Sequence, residues 1–337
     1  MTASRIFITG GTGFIGSHVV SDALKAGHHL LLSVRRDAQA DEITARFSEY
    51  ASQLEFVTIP DIGDKEAIHA ALANKDITYI LHIASPMPGK GEDFKTEYLA
   101  PAVQGTEAIL NVANTTPSIK RVVIVSSILS LMPLGGMTTP GLEVKTGTNL
   151  SLLADEDMPF PPGRPGHGLK YSASKILAHR ATINWMTANK PHFSLVTVHP
   201  TYVLGRDFLQ KDANSPNGIN AYLMQSFTNP PEGKPTIVAS FVDVRDVSQV
   251  VLKSMDVELD GKELLTEYLA VGKKTGWDEV VRFVKEKYPE VEMKLEGPYE
   301  PGFVADTGRT ERELGIEWRG MEEIIGSVLD QQRELRV

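Results

Sequence analysis

The chain has no cysteine among its 337 residues, which excludes a disulfide framework, a thiolate nucleophile and any zinc site built on sulfur. Clustered positive charge is also missing: 34 Lys and Arg face 43 Asp and Glu, the net charge is -9, and no basic run exceeds two residues. A phosphate-backbone footprint is thereby excluded, and nucleic acid is not an expected partner. Apolar runs such as residues 79–84 stop far short of the roughly 18 residues that a membrane span needs. Residues 1–5 lead straight into a short apolar run and glycines, without the long apolar core of a secretory leader. The expectation is a cytoplasmic protein, away from membranes, that acts on a small molecule as a monomer or homodimer.

The composition that remains, 42% hydrophobic and 23% charged, is that of a chain able to bury a core. Short β-rich runs at residues 5–9, 29–34, 54–59, 79–83, 121–126 and 195–199 alternate with helix-length segments, a rhythm that predicts parallel βαβ units. Val122 to Val125 are apolar without alternation, as in a strand covered on both faces. Residues 127–171 hold Pro133, Pro140, Pro159, Pro161, Pro162 and Pro165, so any helix there is expected to be short. A second irregular stretch spans residues 205–235. Regular structure is expected again as a helix at 244–255, a strand at 268–271 and a helix at 277–287.

Directly after the first strand comes Thr9-Gly10-Gly11-Thr12-Gly13-Phe14-Ile15-Gly16. One glycine permits the tight turn, the next admits a pyrophosphate to backbone N–H groups, and the last lets helix and strand pack closely. The helix start presents its positive dipole end to the anion. The loop predicts a bound dinucleotide, against the plainer alternative of a tight turn that binds nothing; Ser17 where a P-loop needs lysine excludes a mononucleotide site of that kind.

The second strand ends in Val34-Arg35-Arg36 rather than in the acidic residue that would hold an unphosphorylated ribose. A guanidinium at Arg35 suits a 2′-phosphate through forked, charge-assisted hydrogen bonds, so NADP(H) is the preferred cofactor; Asp37 nearby leaves NAD(H) possible. Asp61-Ile62 and Ile83-Ala84-Ser85 end the third and fourth strands, at the edge where open α/β sheets bind ligands. Asp61 is placed either on the adenine amino group or as the cap of the helix near Lys65. His82 is expected to be a packed strand histidine.

Tyr171-Ser172-Ala173-Ser174-Lys175 is expected to open a helix with apolar stripe Leu177, Ala181 and Trp185. Tyr and Lys four apart share a face, about 6 Å apart along the axis. A free phenol is a poor proton donor or acceptor at neutral pH, but a neighbouring ammonium favours its anion by roughly 4 kcal/mol at 4 Å and an effective dielectric of 20. A hydroxyl at the end of the fifth strand can hold a substrate carbonyl oxygen while charge grows on it; Ser127 is chosen over Ser126, which a regular strand would point the other way. Neither reaction step calls for a metal.

With TGGTGFIG, Val125-Ser126-Ser127 and YSASK in this order, the chain resembles the extended short-chain dehydrogenase/reductases. Residues 82–86, 101–106 and 242–247 resemble the branch holding dihydroflavonol and cinnamoyl-CoA reductases and fungal NADPH-dependent aldehyde, ketone and methylglyoxal reductases. Residues 199–205 resemble that family's segment beside the nicotinamide. The resemblance implies an α/β fold, a Rossmann-type doubly wound parallel sheet, with residues 1–204 and roughly 241–272 binding the dinucleotide, interleaved with a smaller substrate-binding lobe of roughly 205–240 and 273–337. It implies an oxidoreductase that reduces an aldehyde or ketone with Ser127, Tyr171 and Lys175 as the triad. Gly10, Thr12, Gly13, Phe14, Ile15, Gly16, Arg35, Asp61, Ile62, Ala84, Ser85, Pro200 and Val203 would join Tyr171 and Lys175 around the cofactor. Ser85, Met132, Tyr202 and Phe208 are candidate substrate contacts, with Tyr222 and Met224 as further apolar candidates. Ala102 stands where many sugar-nucleotide epimerases of the family carry Asn, which favours a reductase over an NAD-retaining epimerase or dehydratase. A redox-sensing dinucleotide binder without chemistry is the remaining alternative, against which the Tyr/Lys pair speaks.

Overall fold

A computed structural model describes residues 3–85, 91–259 and 263–336; Pro86, from the 82–86 motif, lies outside them. Its strands are β1 (Arg5–Thr9), β2 (His29–Val34), β3 (Leu54–Thr58), β4 (Tyr79–His82), β5 (Arg121–Val125), β6 (Glu143–Val144), β7 (Ser194–Pro200), β8 (Tyr202–Leu204), β9 (Phe241–Asp243), β10 (Thr266–Ala270) and β11 (Val304–Ala305). The helices are α1 (Phe14–Lys25), α2 (Asp37–Arg46), α3 (Lys65–Leu72), α4 (Ala100–Asn114), α5 (Gly163–Asn189), α6 (Gly218–Thr228), α7 (Val244–Asp256), α8 (Trp277–Lys287), α9 (Gly308–Leu314) and α10 (Met321–Glu334).

Seven strands form one parallel sheet in the order β10-β7-β5-β4-β1-β2-β3. Strand order runs outward in opposite directions from β1 and β4, so the crevice at their carboxyl ends is the topological switch point of a doubly wound fold. Alternate residues of each strand feed opposite faces, which is why the sheet carries two cores. Ile6, Ile8, Leu30, Leu32, Val123, Val196 and Tyr268 meet α1 and α7 on one side. On the other, Phe7, Leu31, Ile80, Val122, Ile124 and Leu195 meet α3, α4 and Trp185 of α5.

A third core lies outside the sheet, where Leu204, Leu223, Phe227, Trp277, Val280, Ile324 and Val328 are drawn together from β8, α6, α8 and α10. The chain does not stay there after residue 273. Leu314, Ile316 and Trp318 return to the sheet's α1–α7 face, and the Thr310 hydroxyl donates to the Leu269 carbonyl at 2.8 Å, so residues 310–318 pack against the seven-stranded sheet.

The proline-rich stretch differs from expectation. Rather than opening at Tyr171, α5 begins at Gly163 and runs 27 residues. Pro165 falls in its first turn, where a missing N–H costs nothing because those N–H groups have no intrahelical acceptor anyway. Tyr171 therefore sits in the third turn. The buried face runs through Ala173, Ile176, His179, Thr182 and Met186, while Leu177 and Ala181 are only half-buried.

Candidate active site

The glycine loop is shaped by contacts that leave no room for side chains. Gly10 has φ +75°, and a Cβ there would stand 2.5 Å from the Ala84 nitrogen. A Cβ on Gly16 would stand 2.0 Å from the Gly10 carbonyl oxygen. The loop after β1 is thus pressed against the chain leaving β4, and the Ala84 N–H donates to the Thr9 carbonyl at 3.1 Å. Gly13 precedes α1 as a cap with no side chain to offer. The N–H groups of Phe14, Ile15 and Gly16 belong to the first turn and point from the helix start without intrahelical acceptors. This cradle fits a dinucleotide pyrophosphate.

Around it, Thr12 Oγ1 accepts from the Gln39 amide at 3.2 Å, and Gln39 Oε1 accepts from the Arg35 N–H at 2.9 Å. Arg35 is exposed, and its guanidinium makes no hydrogen bond or ion pair with any described residue. The Asp37 carboxylate instead accepts from the Thr58 hydroxyl at 2.6 Å. The cap of α3 is Asp64, which accepts from the Ala67 N–H at 2.9 Å, so the capping alternative for Asp61 is overturned. Asp61 is exposed and turns its carboxylate to the Gly63 N–H at 2.9 Å, closing a local turn. Ile62 packs towards α4, where Gly105 leaves room for its methyl group.

At the carboxyl end of β4, His82 is fully buried with Nδ1 2.8 Å from the Thr9 hydroxyl. Burial, and secondarily the charge of Lys175, push it down to about 4, so it is a neutral packed ring. Three residues on, the Ser85 hydroxyl accepts from Lys175 Nζ at 2.5 Å. The same ammonium lies 5.2 Å from the centroid of the Tyr171 ring. Lys175 is buried and Tyr171 half-buried, so α5 delivers a charge and a phenol to the edge where the glycine loop ends.

Ser127 caps the short turn Ile128–Leu131, and its Oγ accepts from the Leu129 N–H at 3.3 Å. One lone pair is thereby used and the hydroxyl proton is left to donate. Ser126 instead directs its hydroxyl to Ser130 Oγ at 3.4 Å. Half-buried Tyr171, Leu134, Met158 and Phe160 all pack against one small core of Phe94, Tyr98 and Ala173. Lys170, next to Tyr171, is buried and paired with Glu92 at 2.7 Å.

The residues expected at the substrate have diverse settings. Met132 is 1% exposed within a core of Ile128, Leu131, Val144 and Phe303. Phe208 stacks on His18 at 4.0 Å and lies under the Arg46 guanidinium at 5.0 Å, against α1 and α2. Tyr202 is half-buried beside the third core, and its hydroxyl is pushed up to about 12 by burial and by Tyr222. Met224 packs at that core's margin. Pro200 ends β7, and Val203 is buried in β8.

Sequence reasoning missed a buried trio, His179, His199 and Glu267, whose donor atoms lie within 4.8 Å of one another. The signal was present in part: Tyr171, Lys175 and His179 are spaced i, i+4, i+8 on one helical face. Glu267 lies in β10, 88 residues beyond His179 in the sequence, and no spacing rule ties the two together.

No helix among the described residues is long and apolar enough to cross a membrane. A ketoreductase of Aspergillus fumigatus, sphI, is 35% identical over 343 residues, covering 99% of both chains. Another, azaE of Aspergillus niger, is 28% identical with 98% of each covered. In structure, yeast methylglyoxal/isovaleraldehyde reductase Gre2, solved complexed with NADPH, superposes with TM-score 0.81 at 22% identity, covering 98% of this chain and 99% of that one, a likeness of fold. Residues 6–264 match the NAD dependent epimerase/dehydratase family. The chain belongs to that family, the extended branch of the short-chain dehydrogenase/reductases.

Proposed function

We propose that the protein is an NADPH-dependent carbonyl reductase that converts an aldehyde or ketone to an alcohol. The observation that carries this reading is the position of the Lys175 ammonium, hydrogen-bonded to Ser85 at the end of β4 and 5.2 Å from the Tyr171 ring, beside a glycine cradle with no space for side chains. Tyr171 gives its proton to the carbonyl oxygen as that oxygen gains charge, and the ammonium stabilises the negative charge left on the phenol. Ser127, with one lone pair held by the Leu129 N–H, donates its hydroxyl proton to the same oxygen and fixes its place. When bound, NADPH supplies the hydride that the carbonyl carbon receives.

Arg35 favours the phosphorylated cofactor: its guanidinium is unengaged while its backbone is tied through Gln39 to Thr12 of the loop. Asp37, the residue that would serve an unphosphorylated ribose, is occupied by Thr58. The naming of both Aspergillus relatives as ketoreductases supports the reaction class. Leu134, Met158 and Phe160 pack on the same small core as Tyr171, apolar surroundings that suit a carbonyl compound with a hydrophobic body.

The test is loss of reduced-nicotinamide absorbance with a panel of aldehydes, ketones and diketones, NADPH and NADH in parallel. Carbonyl-dependent consumption with NADPH preferred is the expected result. Interconversion of a nucleotide sugar without net consumption would replace the reading with an epimerase, and cofactor binding without either reaction would make the protein a binder.

A further inference from the structure

Behind Ser127 lies a polar network with no part in the chemistry above. His199 of β7 is fully buried, with Nδ1 3.2 Å from the Ser127 carbonyl oxygen and 2.9 Å from Ser130 Oγ, and Nε2 2.8 Å from the Thr197 hydroxyl. A carbonyl oxygen only accepts, and Ser130 already donates its one hydroxyl proton to that carbonyl at 2.7 Å. The hydrogen therefore sits on Nδ1, and Nε2 receives the Thr197 hydroxyl. Burial, with the neighbouring His179, pushes the ring down to about 3, so it is neutral at any ordinary pH.

A second tier backs this ring. His179 of α5 stands edge-on to His199 at 4.8 Å between centroids, and its Nε2 donates to Glu267 of β10 at 2.6 Å. Glu267 also accepts from the Gly147 N–H at 2.5 Å. Burial alone would raise this carboxyl, but those hydrogen bonds overcome it and hold the group at about 2, as the carboxylate. The helix that carries Tyr171 and Lys175 is thus braced, through His179 and the packed His199 ring, against the turn that carries Ser127.

We infer that His199 is a positioning residue for Ser127: its Nδ1–H and the Ser130 hydroxyl clamp the Ser127 carbonyl and fix the backbone from which the Ser127 hydroxyl reaches the substrate. The inference rests on the assignment of Ser127 to the carbonyl oxygen. Although His179, His199 and Glu267 are close enough to suggest a cation site, both His199 nitrogens are engaged, one as a donor, and neither lone pair is free for a metal.

The experiment is a cycle of Ser127→Ala, His199→Leu, His199→Asn and the double variant Ser127→Ala/His199→Leu, measured for kcat, KM and NADPH affinity. Leucine removes the donor, whereas asparagine keeps an N–H near Nδ1. His199→Leu is expected to lower kcat about 10-fold with NADPH affinity unchanged, less than the ~10²-fold that a 1 Å misplacement can cost. His199→Asn should recover most of that loss, and in the Ser127→Ala background His199→Leu should do no further harm. Equal losses in both backgrounds, no recovery with asparagine, or stoichiometric zinc whose removal by a chelator abolishes turnover would each overturn the inference. Full turnover by Ser127→Ala would remove the assignment beneath it, whereas an impaired Ser127→Ala beside an unimpaired His199→Leu would remove the positioning role alone. Should His199→Leu fail to fold, Ser130→Ala removes the other side-chain donor to the Ser127 carbonyl, which keeps only the Ser130 N–H at 3.0 Å beside His199, and is held to the same outcomes.

Discussion

The two halves of the sheet build their parts of the site in different ways. From β1 to β3 the work falls to backbone: a glycine loop without room for a Cβ at Gly10 or Gly16, a helix start with bare N–H groups, and the unengaged Arg35 guanidinium. From β4 to β10 it falls to side chains that arrive from far apart in the chain, as Lys175 meets Ser85 and His179 meets Glu267. The difference teaches that the first half is governed by local steric rules and the second by long-range pairing, so they should fail differently when altered.

The largest effect belongs to the side-chain half. Tyr171→Phe should lower kcat ~10³-fold while leaving NADPH binding intact, in the range usual for losing a positioned proton donor. Stopped turnover with parallel fluorescence titration of NADPH checks this, and activity within a few-fold of the parent would break the contrast.

Next comes acid lability. His82 and His199 titrate at about 4 and 3 when folded but near 6.5 when unfolded, so the unfolded chain takes up protons first as pH falls. Stability is therefore lost from about pH 6.5 downward, with His82 alone contributing about 3 kcal/mol by pH 4. Glu267, held at about 2 against an ordinary 4.5, adds a loss in the same direction below that value. Urea midpoints across this range should fall, and His82→Asn should flatten the upper part of the curve; a level profile for the parent would refute the assignment.

In the backbone half, Gly16→Ala forces a methyl group onto the Gly10 carbonyl oxygen. An overpacking cost of about 2 kcal/mol should raise the NADPH dissociation constant some 30-fold or more, with kcat at saturation much less affected. Smallest is Arg35→Ala, expected to weaken NADPH ~10-fold and NADH hardly at all, as for loss of charged hydrogen bonds. Equal weakening of both cofactors would show that Arg35 serves the loop and not a phosphate.

The same division decides how much of the molecule is legible in its sequence. Strand positions, the glycine loop and the Tyr/Lys spacing were legible because each is a local pattern within a few residues. The start of α5 was not, since prolines at 159, 161 and 162 argue for a loop while Pro165 is harmless in a first turn. Met132 looked like an apolar contact for a ligand, yet it is sealed among Ile128, Val144 and Phe303, the last of them 171 residues away. His199 was visible only as part of a motif; its partner Ser130 becomes adjacent because β5 and β7 pair, which no periodicity in either segment reveals.

Placing the phenol and the ammonium in the third and fourth turns of a 27-residue rod, rather than at its mouth, has an evolutionary consequence. Their spacing is inherited from helical pitch and owes nothing to the surrounding loops. Exchange of Leu134, Met158 or Phe160 between relatives would thus change the apolar surroundings of Tyr171 without altering that spacing.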